Sequence, residues 1–107
     1  MQKGDITDLA KTGNFLVIAN WDVKPEFADE IADILAEFVV NARSEPGVNI
    51  FLVARKRNDA AAFVFYEVFA DEKAFAAHQQ TEWFKSLIQG RALPKLIRRE
   101  RSEFTLL

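Results

Sequence analysis

The sequence predicts an α+β, ferredoxin-like domain of order β-α-β-β-α-β, with a four-stranded antiparallel sheet and the helices on one face. Three observations lead to this prediction. The length of 107 residues fits one domain. A long amphipathic helical pattern lies between two runs of strand-forming residues. A turn signal then joins the second and third runs into a hairpin. Residues 1–13 are polar and predict an N-terminal arm, so the domain covers 14–107.

The first strand and the long helix come from the clearest patterns in the chain. Phe15 to about Val23 contains a short apolar run with β-branched members, which predicts a buried strand. Pro25 suits the first turn of a helix. Apolar residues then recur at three- and four-residue spacing, which predicts a helix over 26–44 that ends at Glu45-Pro46-Gly47.

Two further strands form the predicted hairpin. The second strand runs from Val48 to Lys56, and Arg57-Asn58-Asp59 is a turn signal. The third strand, Phe63 to Phe69, is rich in aromatic and β-branched residues. The short connection makes the pair antiparallel.

The last part of the chain predicts two short helices and a strand. Asp71 is a good N-cap for a helix that runs through His78. Thr81 caps another helix, from Glu82 to about Gln89, which Gly90 stops. The final strand is predicted at 103–107.

Composition excludes several classes of function. Lys and Arg total 14 against 16 Asp and Glu, and a formal charge of -2 argues against general nucleic-acid binding. Cysteine is absent and there is one histidine, which excludes disulfides, thiolate sites and two-histidine metal sites within one chain. No apolar run approaches the roughly 20 residues of a membrane helix. We therefore expect a cytoplasmic protein with no metal, cofactor, membrane or nucleic-acid partner.

Two segments carry a resemblance to a known family. The first is Glu45-Pro46-Gly47, and the second is Phe63-x-x-Tyr66-Glu67-x-Phe69-x-Asp71-x-x-Ala74-Phe75-x-x-His78, which continues through Thr81 and Phe84-Lys85. Over about residues 14 to 107, the chain resembles the antibiotic biosynthesis monooxygenase domains. The resemblance implies a homodimeric α/β barrel, in which two sheets pack face to face and each protomer has one pocket between its sheet and its helices.

The resemblance also implies a range of functions. Some members oxygenate anthrone- or quinol-type aromatics without metal or flavin, so a cofactor-independent monooxygenase for a small aromatic substrate is the leading expectation. A relative isomerises a phosphorylated diketone-type signal, and a non-oxidative isomerase is the alternative. A non-catalytic dimeric ligand-binding protein is the third hypothesis.

Glu67 and His78 are the main candidates for chemistry. Period-two geometry places Glu67 on the same strand face as Phe63, Phe65 and Phe69. Burial there would raise the pKa of Glu67, which suits a general base near neutral pH. His78 lies on the next element, and we expect it to hydrogen-bond Glu67. The pair either transfers a proton or only satisfies a buried carboxylate.

Asn20 is a third candidate catalytic residue. The resemblance places it where haem-degrading members have a pocket Asn. Their pocket Trp and their haem-ligand His correspond to Phe69 and Ile88, so haem degradation is not expected. Asn20 either orients a substrate oxygen or is a polar residue near solvent.

The remaining pocket candidates are aromatic. Trp83 stands where many relatives have a second His, and it either stacks on an aromatic substrate or packs a helix against the sheet. Phe51, Phe65 and Phe69 are predicted to bind substrate, with core packing as the alternative. We expect one pocket to be surrounded by Asn20, Glu67, Phe69, His78 and Trp83.

Two surface features complete the predictions. Val64, Tyr66 and Val68 share the strand face opposite Glu67 and are expected to lie in a homodimer interface. The other feature is two basic clusters, which either bind a phosphate or carboxylate or form a solvated face. One is Arg55-Lys56-Arg57, and the other consists of Lys95, Arg98, Arg99 and Arg101.

Overall fold

A computed structural model describes residues 15–107 and confirms the α+β, ferredoxin-like fold. The predicted N-terminal arm lies outside the described residues. All strand pairs are antiparallel, and the sheet order is β2-β3-β1-β4. No helix within residues 15–107 is long and apolar enough to cross a bilayer. The strands are β1 (Phe15–Val23), β2 (Val48–Arg55), β3 (Ala62–Phe69) and β4 (Leu96–Thr105), and the helices are α1 (Ala28–Ala42), α2 (Glu72–Gln79) and α3 (Phe84–Ala92).

Helix α1 packs its apolar stripe on the sheet. A single 3-10 turn, Pro25–Phe27, precedes it, so helical structure begins where the proline predicts. The buried residues of α1 recur at intervals of three or four positions, which is the expected pattern for a helix that covers one face of a sheet. The buried positions are Ala28, Ile31, Ile34, Leu35, Phe38 and Ala42.

The two faces of the sheet have different surroundings. Alternate residues of β1 and β3 point toward the helices and form the main core, as Val17 and Phe65 do. The opposite face carries a smaller apolar cluster centred on Leu16, Ile50 and Val68. Glu67 belongs to the helix-facing side, where its register partners are Val17 in β1 and Phe51 in β2.

Strand β4 begins earlier than the sequence predicts. It spans ten residues from Leu96, whereas the prediction placed it at 103–107. It pairs with β1 along its length and forms one edge of the sheet. Apart from the half-buried Leu96, its residues are exposed. An edge strand of this kind has no apolar alternation, and its run of Arg and Glu gave no strand signal.

The helical segment between β3 and β4 carries the predicted caps. The Asp71 carboxylate accepts a hydrogen bond from the backbone N–H of Ala74 at 2.8 Å and begins α2. Thr81 Oγ1 accepts one from the N–H of Phe84 at 3.2 Å and donates to the carbonyl of His78 at 2.8 Å. Helix α3 is wound as a π-helix and continues through Gly90 to Ala92, so the predicted stop at Gly90 is wrong. The segment contributes Phe75 and Leu87 to the core on the helix-facing side of the sheet, the side that also carries Glu67.

Candidate active site

A cavity of about 270 Å³ lies between the helix-facing side of the sheet and the helices. Its walls combine aromatic and charged side chains, and Glu67 and His78 both line it. Strand β4 contributes Arg99 and Arg101 to the wall at the sheet edge. The aromatic residues of the lining are Trp21, Phe38, Phe65, Phe75 and Phe84.

Glu67 projects into this cavity from the centre of the sheet. The residue is 7% exposed. Its carboxyl group accepts no hydrogen bond from residues 15–107. Every fully buried side-chain oxygen or nitrogen in those residues has a partner, so the carboxyl oxygens of Glu67 are not fully buried. The carboxyl oxygens therefore keep their small exposure on the cavity side. Burial raises the pKa of Glu67 to about 8, while Arg101 opposes the rise and Glu45 adds to it. At pH 7 this carboxyl is mostly protonated.

His78 lies in a cage of aromatic rings. The ring centroids of Phe38, Phe51, Phe69 and Phe84 are 5.3–5.5 Å from the imidazole centroid. The side chain is 2% exposed. Burial lowers the pKa of His78 below its ordinary 6.5, although its contact with Glu45 opposes the shift. The imidazole is therefore neutral at pH 7.

The hydrogen-bond partner of His78 is Glu45, not Glu67. His78 Nδ1 lies 2.9 and 3.1 Å from the two carboxylate oxygens of Glu45. Trp83 Nε1 donates to one of the same oxygens at 2.8 Å. The prediction of a Glu67–His78 hydrogen bond is therefore wrong. The sequence marked Glu45-Pro46-Gly47 as the end of the helix and as part of the family resemblance, but it assigned Glu45 no role in the site.

This arrangement fixes the tautomer of the imidazole. A carboxylate only accepts hydrogen bonds, so His78 must carry its proton on Nδ1. The other nitrogen, Nε2, then has a free lone pair. Nε2 has no hydrogen-bond partner among residues 15–107. Every fully buried side-chain nitrogen in those residues does have a partner, so Nε2 is not fully buried. Nε2 therefore retains access to the cavity that His78 lines.

Gly47 allows Glu45 to reach α2. A Cβ atom placed on Gly47 would lie 2.4 Å from Ala74 Cβ, closer than two carbons can approach. The Gly47 carbonyl also accepts a hydrogen bond from the N–H of Ala70 at 2.9 Å. Ala74 lies one helical turn before His78, so this close approach sets the separation between Glu45 and the imidazole.

Asn20 is not part of the cavity. Its register partners are Val64 in β3 and Glu100 in β4, and its side chain is exposed on the face of the sheet away from the helices. The prediction placed Asn20 around the same pocket as Glu67, on the helix-covered face, although Asn20 shares its strand face with Leu16. Leu16 belongs instead to the outer apolar cluster, so the parity assignment was wrong.

The predicted aromatic residues divide between the cavity and the layer behind it. Phe65 lines the cavity. Phe51 and Phe69 are 2% and 0% exposed and pack against the far side of His78, so they support the imidazole and do not line the cavity. Trp83 is half-buried and holds Glu45 through its indole N–H, and it too is outside the lining. The sequence did not single out Trp21 or Phe84 for the cavity.

The described residues offer acid–base groups to a ligand. Residues 15–107 bring together no group of three His, Asp or Glu side chains that could hold a metal ion. What the cavity contains is a neutral imidazole with a free lone pair and a protonated carboxyl group. One can accept a proton and the other can donate one at the same pH.

Comparisons with known proteins agree with this architecture. Residues 14–90 match the family model described as antibiotic biosynthesis monooxygenase. A Synechocystis protein, uncharacterized protein sll1783, is 28% identical over 74 residues, which are 69% of this chain and 50% of that relative. The chain thus spans about half the length of that curated relative.

Solved structures extend the similarity over most of the chain. The structure of PA3566 from Pseudomonas aeruginosa is 25% identical, with a TM-score of 0.80 over 89% of this chain and 95% of that one. A structure named antibiotic biosynthesis monooxygenase is 26% identical, with a TM-score of 0.77 over 87% of this chain and 96% of that one.

Proposed function

The chain belongs to the antibiotic biosynthesis monooxygenase family, and from this premise we propose that it is a cofactor-independent monooxygenase for a small aromatic substrate. The observation that carries the proposal is the pairing of His78 and Glu67 in one aromatic-walled cavity. His78 is the base and Glu67 is the acid. This reverses the role that the sequence suggested for Glu67, because its carboxyl is mostly protonated at neutral pH.

The first half of the proposed reaction creates and traps a carbanion. His78 Nε2 takes a proton from the activated CH₂ group of an anthrone-type substrate. The carbanion gives its two electrons to O₂, and a C–O bond forms. Glu67 then protonates the terminal oxygen, which leaves a hydroperoxide. Burial of the reacting carbon among aromatic side chains favours O₂ over water in this step.

The second half releases water. The Glu67 carboxylate takes the remaining proton from the same carbon, and the O–O bond breaks as the C=O bond forms. The leaving hydroxide takes the proton held on His78 and becomes water. The sum is R₂CH₂ + O₂ → R₂CO + H₂O, and both side chains return to their starting protonation states. The substrate is the reductant, so no other electron donor is required.

Glu45 and Trp83 are positioning residues in this proposal. The Glu45 carboxylate holds the Nδ1–H of His78 and stabilises the imidazolium that forms when Nε2 accepts a proton. Trp83 fixes Glu45 from the other side. Neither side chain needs to touch the substrate, because neither lines the cavity.

Oxygen uptake tests the proposal. The purified protein is incubated with a panel of anthrones and naphthoquinols in the presence of EDTA, in an oxygen electrode. We expect uptake above the uncatalysed rate for at least one compound, and a loss of about 100-fold or more in His78→Asn and Glu67→Gln. Glu37→Gln, an exposed glutamate of α1, is the matched control and should keep full activity. Uptake that is unchanged in His78→Asn and Glu67→Gln would overturn the mechanism.

A non-oxidative isomerase is the second candidate. The same acid–base pair can move a proton between two carbons next to a carbonyl, and the arginines in the cavity wall favour an anionic substrate of the kind that the isomerase hypothesis requires. Product formation under anaerobic conditions would distinguish it from the oxygenase. The open cavity gives less support to the third hypothesis, a binding protein with a collapsed site.

We also propose that the protein is a homodimer. The face of the sheet away from the helices carries exposed apolar side chains, which a second copy would cover. They are Leu52, Val64, Tyr66 and Phe104, which are 37–48% exposed. Val68, predicted in the same interface, is already buried within one chain by the outer cluster.

A further inference from the structure

Strand β4 gives one wall of the cavity two positive charges. Arg99 and Arg101 lie opposite Trp21 and Ala19 of β1, so both arginines are on the helix-facing side of the sheet. Two residues along a strand are about 7 Å apart, which allows both guanidinium groups to reach one small ligand group. Both residues line the cavity that contains His78 and Glu67.

The charge of these arginines is largely free for a ligand. Arg99 makes no ion pair within residues 15–107. The Arg101 guanidinium is 4.0 Å from a carboxylate oxygen of Glu103, and it lies 5.1 Å from the ring centroid of Phe75. Its side chain is 43% exposed, so solvent weakens the contact with Glu103.

The neighbouring basic residues of β4 and of the turn before it are paired with carboxylates, unlike Arg99 and Arg101. Arg98 lies on the other side of β4, where its guanidinium is 2.7 Å from a Glu100 carboxylate oxygen. Lys95 forms an ion pair with Glu30. Of the predicted basic cluster, the two members without a close carboxylate partner are therefore the two that line the cavity.

Acidic groups in the lining do not cancel this charge. Glu100 is held by Arg98, and Glu67 is mostly uncharged at pH 7. The protein as a whole has a formal charge of -2, so the positive wall is a local feature. A local positive wall in an aromatic cavity selects a ligand that combines a ring with an anion.

We propose that Arg99 and Arg101 form an anion subsite, so that the substrate is a small aromatic or enolisable molecule with a carboxylate or phosphate group. The proposal rests on the proposed function for the reacting end, which faces His78 and Glu67, while the anionic end lies against β4. Guanidinium groups bind both oxyanions through paired hydrogen bonds. A cavity of about 270 Å³ limits the ligand to one or two rings.

Isothermal titration calorimetry with matched probes tests the subsite. 2-Naphthoate and 2-naphthamide have nearly the same shape, but only the first is charged. We expect the wild-type protein to bind 2-naphthoate at least about tenfold more tightly than 2-naphthamide. The double variant Arg99→Gln plus Arg101→Gln should bind the two equally. Arg57→Gln, a change of an exposed arginine between β2 and β3 that does not line the cavity, should keep the preference.

A second series compares phenyl phosphate with phenol. The series with the larger ratio of affinity for the charged probe to affinity for the neutral probe identifies the favoured oxyanion, carboxylate or phosphate. Equal binding of charged and neutral probes in both series, no binding of any probe, or a preference that survives in the double variant would overturn the subsite. The measurement is independent of turnover. Tighter binding of the charged probes without oxygen uptake would reject the oxygenase activity and support the subsite. Oxygen uptake with equal binding of charged and neutral probes would support the oxygenase activity and reject the subsite.

Discussion

Two buried ionisable residues have opposite protonation roles in this cavity. His78 is neutral because four phenylalanine rings surround it, and Glu45 fixes its proton on Nδ1. Glu67 is mostly protonated because it is buried without a hydrogen-bond partner among residues 15–107. A base and an acid are thus available together at neutral pH.

Replacing Glu67 by Gln should change the pH dependence of stability. The pKa of Glu67 is about 8 in the folded state against 4.5 for an ordinary glutamate, so its contribution to stability is fully present below pH 4.5 and is lost as the pH rises from there through about 8. The loss between pH 5 and 9 is on the order of 4 kcal/mol. Over that range, the melting temperature of the wild type should fall by at least about 10 °C more than that of Glu67→Gln.

Thermal unfolding followed by circular dichroism measures this difference. Glu103→Gln is the matched control, because Glu103 is an exposed glutamate of β4, and it should follow the wild-type curve. Parallel curves for the wild type and Glu67→Gln would show that Glu67 ionises in the folded protein at its ordinary pKa.

Replacing Glu45 by Gln should affect the base without affecting the fold. The variant loses the charge that stabilises an imidazolium, so kcat should fall by about 10- to 100-fold while KM changes little. The Glu45 carboxylate raises the pKa of His78, so its removal should also move the acidic limb of the pH–rate profile to lower pH. Steady-state kinetics over pH 5 to 8 would reveal both effects. A pH–rate profile that superimposes on the wild type would contradict this role.

The candidate site was partly readable from the sequence at the residue scale. Strand β3 alternates between residues that face the helices and residues of the outer face. The helix-facing residues are Phe63, Phe65, Glu67 and Phe69, so the alternation predicted that the Glu67 side chain faces the helices. In β1, apolar residues occupy both faces, as Val17 and Leu16 do. With no alternation to read, the face of Asn20 was not determined.

At the scale of elements, the contact between Gly47 and α2 determines the geometry of the base. A methyl group on Gly47 would meet Ala74 Cβ at 2.4 Å, and that atom moves only if the helix backbone moves. Gly47→Ala should therefore destabilise the protein by about 1 to 3 kcal/mol. Ala74→Gly removes the opposing methyl group and should itself cost about 1 kcal/mol of helix propensity.

A double-mutant cycle separates the contact from these background costs. The double variant Gly47→Ala plus Ala74→Gly should lose less stability in urea unfolding than the sum of the two single variants, because the second change makes room for the first. Strict additivity of the two free-energy changes would show that the two residues do not limit the approach of α2.

The late start predicted for β4 has its cause in the position of this strand at the edge of the sheet. The helix over 26–44 and the hairpin were predictable, because burial of one face imposes a period on the sequence. Strand β4 is exposed on both faces from Ile97 onward, so solvent imposes no period on it. Its partner β1 supplies the hydrogen bonds that hold it, and that long-range pairing leaves no local mark on the sequence.

At the scale of the whole molecule, the two faces of the sheet have separate roles. The helix-facing side encloses the cavity, and we propose that the outer face meets a second copy. Tyr66→Asp places a charge at the centre of the outer face and should convert the dimer into monomers. Val40→Asp is the matched control, because Val40 is 70% exposed on α1, away from the sheet.

Analytical ultracentrifugation at micromolar concentration distinguishes these states. The wild type and Val40→Asp should sediment with the mass of two chains, and Tyr66→Asp with the mass of one. A wild-type protein that sediments as a monomer would refute the proposed dimer.

The protonation state of His78 is the central claim, and one measurement tests it directly. The chain contains a single histidine, so a ¹H–¹⁵N long-range NMR titration of the untagged protein reports this imidazole alone. The structure predicts a neutral ring at pH 7, protonated on Nδ1, with a pKa below 6.5. A ring that carries its proton on Nε2, or that titrates above 6.5, would contradict the assignment of His78 as the base.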